Sequence, residues 1–428
     1  MGVGSTEPTK SSGAGFAGAG AKPAPPLRRN RDFILLWSGQ VVSTLGSEVS
    51  GLAFPLLVLS LTGSPAQAGI VGFARGLPYL LVYLPAGALV DRWNRKRVML
   101  AADAGRALAI GSVAVWLVVG RPPIAWLAIV SFVEGALFVF FQLAESAALP
   151  HIVPKEQLPL AIAQNQARVQ GAQLAGGPLG GVLFGAARLL PFAADAASYA
   201  VSFVSLLFVR PAFQESRERP PTRLRTEVAE GMRWLWNQPF LRTATLLVAG
   251  TNFVHQGLFG IVVIVRAREL GASPALIGAL FAFCGAAAIL GALVAPWVQR
   301  HVPPAVVVLG TLWFWVPATA ALALLHDPIG LGLVLAVSNL VGPVFNVVVG
   351  AYRYALVPDR LLGRVQSASL VIAWGAIPLG SLFAGFVVAT IGARETIVVL
   401  AGILLALALC GTASRSVRTV PRLAETAE

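Results

Sequence analysis

Cysteine and charge are both scarce in this chain. Its 428 residues include only Cys284 and Cys410. Both fall inside apolar runs, so neither a disulfide framework nor a zinc-ligand spacing follows. Charged residues make up 12% of the sequence and hydrophobic residues 56%. An ordinary soluble domain carries about 25% charge, roughly twice as much. Strand-type alternation is missing, which argues against a transmembrane barrel. Also missing are a nucleophile elbow, a metal spacing such as HExxH and a phosphate loop of the GxxxxGK[ST] type. An enzyme is therefore not expected. Without a phosphate loop, the chain cannot drive work with its own ATP hydrolysis.

What is present is a series of apolar runs of roughly 20 residues, the length that crosses about 30 Å of hydrocarbon as a helix. The mean hydropathy is +0.75. Twelve such spans can be marked: near 33–60, 66–90, 97–119, 124–149, 163–187 and 192–209, then 242–265, 274–298, 302–325, 329–351, 364–390 and 395–413. Pro55, Pro78, Pro178, Pro317, Pro343 and Pro378 fall inside them. Bundled membrane helices tolerate such prolines and use them as bends. The expected fold is an all-α membrane protein, with 12 transmembrane helices in two pseudo-symmetric six-helix bundles. The expected organisation is a disordered tail (1–30), a first bundle (31–209), a linker (210–241), a second bundle (242–413) and a carboxyl tail (414–428).

The net charge of +13 does not call for a nucleic acid. Arg75, Arg106 and Arg168 lie within spans, and Arg121, Arg188, Arg266, Arg268 and Arg394 lie in loops on one side. The rest of the 32 Lys and Arg residues fall on the side of the two termini. Such asymmetry places both termini in the cytoplasm. Within the linker, Leu224, Val228 and Leu235 have helical spacing beside Arg233, Trp234 and Trp236. That pattern suits an amphipathic helix on the membrane surface, or else a plain linker.

The densest charge lies between the second and third spans, where Asp91, Arg92, Arg95, Lys96 and Arg97 sit within seven positions. Gly87-Ala-Leu-Val90, with Trp93 and Val98, recurs as Gly291-Ala-Leu-Val294, with Trp297 and Val302. The same offset relates Val153-Pro154 to Val357-Pro358. Two anchors at one offset point to duplicated halves, as in transporters built from parallel repeats. In the second copy Ala295 replaces Asp91 and Pro296 replaces Arg92, so the halves share a scaffold and not the charge cluster.

The run Gly87-Ala-Leu-Val-Asp91-Arg92-Trp-Asn94-Arg95-Lys96 resembles the Gly-x-Leu-x-Asp-Arg-x-Gly-Arg-Arg/Lys loop of the major facilitator superfamily. Asn94 stands where that family usually has glycine. Asn is the next most tolerant residue of a left-handed turn, which is expected to survive. Arg75-Gly-Leu-Pro78, Asp103-Ala-Gly-Arg106, Gln142-x-Ala-x-x-Ala-Ala-Leu-Pro150 and Leu362-Gly-Arg-Val365 are similar to the branch of drug and siderophore exporters related to the enterobactin exporter and macrolide efflux proteins. Gly176-Gly-Pro178-Leu-Gly180-Gly181 resembles the fifth-helix motif of the superfamily's antiporters.

These readings give four sets of candidates. Gly87, Asp91, Arg92, Arg95, Lys96, Arg97, Asp103 and Arg106 form a conformational latch at the inner face. The resemblance implies that such charges lock the outward-facing state, and the competing reading is a positive-inside anchor. Asp103 and Arg106 are three apart on one helix face and able to pair. Glu48 and Glu134 lie near the midplane of spans one and four, which line the cavity in the resembling family. There they could bind and release a proton, or act as neutral, hydrogen-bonded structural acids. Arg75, Asn252, His255, Gln256, Asn339 and Asn346 are the candidate substrate cavity, a mix that suits a mostly apolar ligand with a few polar groups. Gly177, Pro178, Gly181 and Gly185 form a small-residue face for close helix contact, either generic or an antiporter seal.

The expected function is secondary active transport by alternating access: a proton-coupled exporter of hydrophobic or amphipathic molecules such as antibiotics or siderophores. A facilitated lipid or metabolite transporter, and a non-transporting receptor on the same fold, are the alternatives. The proton gradient is the expected energy source, with no cofactor and no metal. A small-molecule substrate and the lipid bilayer are the expected partners, the chain acting as a monomer in a bacterial cytoplasmic membrane.

Overall fold

Apolar runs this long leave backbone amides with no partner but their own helix, and helices are what the chain forms. In the computed structural model the described residues are 26–210, 213 and 224–420. The first half contains α1 (Arg31–Thr62), α2 (Pro65–Leu81), α3 (Tyr83–Val90), α4 (Arg95–Val119), α5 (Ile124–Ile152), α6 (Leu158–Ala186) and α7 (Leu190–Leu207). The linker forms α8 (Leu224–Asn237). The second half contains α9 (Pro239–Gly257), α10 (Val263–Glu269), α11 (Pro274–His301), α12 (Pro304–Leu322), α13 (Pro328–Leu340), α14 (Gly342–Leu356), α15 (Asp359–Ile391) and α16 (Ala393–Ala413), followed by the short α17 (Arg415–Arg418).

Polar side chains mark where the helices begin. Asn30 accepts from the Phe33 amide, Ser64 from Gln67, Ser273 from Leu276 and Asp327 from Gly330. Each relieves one of the unpaired amides of a first turn. Gly63 ends α1 with φ of 66°, the left-handed closure that glycine adopts without strain.

Ten helical segments among the described residues are long and apolar enough to cross a membrane. An eleventh is formed by α2 and α3, bent by 51°. The remaining long helix, α6, is 29 residues but carries Gln164, Asn165, Gln166, Arg168, Gln170 and Gln173 in its first half. The repeat seen in the sequence falls at equivalent points. Val153 closes α5 and Val357 closes α14, both in extended backbone.

The apolar core is divided unevenly. At the face away from the termini, both halves contribute to one continuous core, with Leu57, Ile110 and Phe192 from the first and Val262, Ile277 and Ile397 from the second. At the termini face there are two separate cores. One is built around Met99, Phe141 and Leu206 of the first half, the other around Phe240, Phe345 and Val365 of the second. The halves are thus sealed together at one end and apart at the other.

One expectation needs correction here, and the linker gains a protein contact. Residues 1–25 lie outside the described residues, but the tail does not run loose to residue 30. Leu27, in a 3-10 turn, is 3% exposed and packs into the first half's core. The linker helix α8 turns its apolar edge to protein. Leu235 is buried in the second half's core, Gly231 abuts the Arg364 backbone, and Glu230 pairs with Arg364. Trp236, next to Leu235, is exposed.

Candidate functional site

A cavity of about 400 Å³ lies between the halves, lined by α1, α2 and α5 on one side and by α9, the adjoining π turn and α15 on the other. Its volume is within the ~300–1,000 Å³ of small-molecule sites. Aromatic side chains, Phe54, Tyr79, Phe138 and Trp374, supply much of its wall. Trp374 of α15 meets Tyr79 edge-on at 5.2 Å and Tyr83 at 6.1 Å. Val82, where α2 gives way to α3, falls between those two tyrosines in sequence.

The polar wall belongs to the first half. Arg75 Nε donates to Glu134 Oε2 at 3.1 Å, and Arg106 Nη2 donates to Glu134 Oε1 at 3.3 Å. Tyr199 also donates to Glu134 Oε1, while Arg106 Nη2 donates to Tyr199 at 2.7 Å and to Ser47 at 3.1 Å. The Arg106 guanidinium lies over the Tyr199 ring at 4.0 Å. Glu134 and Arg106 are each 2% exposed. A carboxylate so buried is tolerable only because two guanidiniums and a phenol surround it.

Two polar stripes build this cluster. On α1, Gln40, Ser43, Ser47 and Ser50 recur at helical spacing. On α7, Asp195, Ser198, Tyr199 and Ser202 do the same. The stripes face each other across a close approach at Gly46, where a Cβ would collide with Ser198 and Asp195. Sequence reading missed Ser47, Tyr199 and Asp195. The signal was there, a polar residue every three or four positions inside two apolar spans.

Glu48 stands apart from the cluster. It lines the cavity, half-buried, and among the described residues makes no hydrogen bond or ion pair. Gly176 of α6 gives it room, since a Cβ there would meet Glu48.

The latch candidates separate into two places. Asp103 and Arg106 do not join the loop. They are 0% and 2% exposed inside the first bundle and form the one-turn ion pair that their spacing predicts, at 3.9 Å, while the hydrogen bonds of Arg106 go to Glu134, Tyr199 and Ser47. The buried partners offer a hydrogen-bonded ion pair, which outweighs the one-turn neighbour. At the loop, Asp91 lies 3.9 Å from Arg95. Arg95 donates to the Ala147 and Phe213 carbonyls, and Lys96 to those of Leu207 and Val209. These cations cap the carboxyl ends of α5 and α7, where the helix dipole favours positive charge. Arg92 and Arg97 are exposed, and Gly87 faces open space. Asn94 is not left-handed as expected. Its φ is −66°, and its side chain caps α4 at the Arg97 amide.

Of the cavity candidates, Arg75 and Gln256 line the space. Asn252 and Asn339 do not: their amides are spent on the Ala373 and Leu335 carbonyls. His255 stacks on Phe259 at 4.3 Å, and Asn346 is exposed on α14, neither of them on the cavity wall. Among the small residues, Gly177 rests on Gly278 and Phe281, Pro178 on Gly278, and Gly181 on the Pro274 carbonyl. Gly185 has no neighbour within 4 Å of an added Cβ. A matching seam joins α2 to α15 through Gly69, Gly76, Pro378 and Gly385. Sequence reading did not single out Gly69, Gly76 or Gly385. Another missed feature is the buried pair Arg168–Glu145, bonded at 2.7 and 3.2 Å between α6 and α5.

Two helical bundles joined at one end, with a polar cavity between them, define a multi-pass membrane transporter and not an enzyme. The comparisons agree. A family model described as "Transmembrane secretion effector" matches residues 21–426. The multidrug efflux pump Tap of Mycobacterium tuberculosis is 26% identical over 392 residues, covering 87% of this chain and 90% of the relative. The MFS-type transporter y4rN of Sinorhizobium fredii is 30% identical over 390 residues, covering 87% and 92%. In fold, the chain is similar to a bacterial homologue of the human lysosomal transporter Spinster, in its inward-facing occupied form. The TM-score is 0.74 at 14% identity, covering 91% of this chain and 98% of that one. The chain belongs to the transmembrane secretion effector family of the major facilitator superfamily.

Proposed function

We propose that this transporter is a proton-coupled exporter of hydrophobic or amphipathic small molecules, working by alternating access in a bacterial cytoplasmic membrane with both termini inside. On that orientation the sealed face is the outer one and the cavity is reached from the cytoplasm. The observation that carries the reading is Glu48, an ionisable group on the wall of an aromatic cavity that, among the described residues, makes no hydrogen bond or ion pair and feels only the longer-range charge of Arg75. A carboxylate in that position has two natural partners, a proton or a ligand, and competition between them is how an antiporter exchanges one for the other. Glu134 is less suited to this task, because Arg75 and Arg106 already neutralise it. The aromatic lining suits an apolar ligand body, with Gln256 offering an amide from the second half. The efflux activity in the name of the Tap relatives supports export.

The charged loop fits the other half of the cycle. Arg95 and Lys96 brace α5 and α7, and Asp91, 3.9 Å from Arg95, lies at the edge of the first bundle that moves when the termini face closes. The test is efflux from cells or vesicles loaded with a fluorescent amphiphile. Collapse by a protonophore and by Glu48→Gln is expected. Efflux indifferent to both would favour facilitated movement of a lipid or metabolite.

A further inference from the structure

Behind the cavity wall the first bundle encloses an acid that the transport site does not use. Asp103 of α4 is 0% exposed. Its Oδ2 accepts from Ser202 Oγ of α7 at 2.6 Å, and Ser202 accepts from Gln40 Nε2 of α1 at 2.7 Å. Its Oδ1 is buried without a hydrogen-bond partner. The cation paired with it, Arg106 on the same helix, keeps Nη1 3.9 Å away, beyond hydrogen-bond reach, while Nη2 is spent on Glu134, Tyr199 and Ser47. One guanidinium therefore stands between two carboxyls and is committed to the one at the cavity.

The surrounding charges do not balance if every acid is ionised. Arg75 and Arg106 are set against Glu48, Glu134, Asp103 and Asp195, the last also fully buried with Oδ2 unpartnered. The groups facing Asp103 from the other helices, Gln40, Ser202 and, further off, the Arg168-paired Glu145, add no free positive charge. A low-dielectric interior does not hold uncompensated carboxylates; they take up protons instead. Asp195 is better able to stay ionised, since Ser198 donates to its Oδ1 from the same helix and Ser50 faces it from α1, and such donors favour the carboxylate. Asp103 is the acid whose free oxygen lies beside a cation that is occupied elsewhere.

We infer that Asp103 is a second proton-holding site, filled in this conformation, and that Arg106 is the positioning residue that decides when it empties. The O–H bond at Asp103 Oδ1 breaks, an O–H bond forms at Glu134 Oε1, and Arg106 moves the opposite way to pair with Asp103. One proton and one ion pair exchange places, so the charge of the network is conserved. The inference gains its role in transport from the proton-coupled reading, but its test detects the proton itself.

That test is infrared difference spectroscopy of the purified full-length protein in lipid, reading the carbonyl stretch of protonated carboxyls at neutral pH. The wild type should show the band with a distinct component from Asp103, and Asp103→Asn should abolish that component. Glu134→Gln should abolish it as well, because Arg106 is released to Asp103; a merely structural Asp103 would not respond to that change. Glu48→Gln should leave it in place, so a failure of the efflux reading at Glu48 is distinguishable from a failure here. Should Asp103→Asn not fold, Ser202→Ala, which removes only a hydrogen bond, must shift the band. A wild type without the band, a band unmoved by these variants, or one lost instead in Asp195→Asn would overturn the assignment.

Discussion

Gly181 of α6 rests directly on the carbonyl of Pro274 at the start of α11. The two residues belong to different halves, and their contact leaves no space for a side chain. With Gly177 on Gly278 one turn earlier, it closes one of two glycine seams on the sealed face. Small residues allow backbones to approach until dispersion and weak Cα–H contacts replace side-chain packing. Such a seam can part and re-form as a rigid surface, which two rocking bundles require.

Gly177→Leu and Gly181→Leu should therefore abolish efflux, whereas Gly185→Leu, with nothing near its added side chain, should leave it near wild type. Overpacking a seam costs about 1–3 kcal/mol, enough to displace the equilibrium between two facing states by roughly fivefold to over a hundredfold. Efflux per molecule of membrane-inserted protein checks this.

Glu134 and Glu48 should differ in stability. Glu134→Gln leaves Arg75 short of its counter-charge and makes Arg106 re-pair with Asp103, and breaking a buried pair costs roughly 3–5 kcal/mol. Glu48 makes no hydrogen bond or ion pair among the described residues, so only the longer-range attraction of Arg75 is lost. Thermal unfolding in detergent should show a marked fall in Tm for Glu134→Gln and little change for Glu48→Gln.

Trp374 should govern ligand retention. Its edge contacts with Tyr79 and Tyr83 are worth about 0.5–1.5 kcal/mol each. Trp374→Ala should weaken binding of an aromatic amphiphile severalfold and speed its release, while Trp374→Phe retains most of the affinity. Equilibrium binding with stopped-flow release separates the two effects.

The loop cations should divide likewise. Arg95→Ala removes contacts to the Ala147 carbonyl of α5 and the Phe213 carbonyl beyond α7 and should cost ~1.5–3 kcal/mol, as for hydrogen bonds to charged groups. Arg92→Ala, at an exposed position, should not change Tm. Unfolding curves of the two variants provide the comparison.

Helix lengths and the paired halves were legible because they depend on apolar run length and on Gly and Pro, which a single sequence displays directly. Glu48 and Glu134 stood out for the same reason, since a carboxyl in an apolar span is costly wherever it points. Partner choice was not legible. Arg106 reads as the one-turn mate of Asp103, and only tertiary packing brings Glu134 and Tyr199 closer. Asn339 and Asn346 misled because the chain breaks at Val341, between α13 and α14. A helical face cannot be extended through such a break. That Leu235 of α8 packs on the second bundle was not legible either, because lipid and a neighbouring bundle reward the same apolar pattern.

The measurement closest to the central claim is a pair of spin-label distances between the two halves. With Cys284 and Cys410 replaced by serine, labels at positions 185 and 268 report the sealed face, and labels at 97 and 300 report the termini face. Alternating access predicts antiphase: on shifting pH or adding substrate, the first distance lengthens as the second shortens. Distances that stay fixed, or that change in the same direction, would contradict two bundles rocking about the Glu48 cavity.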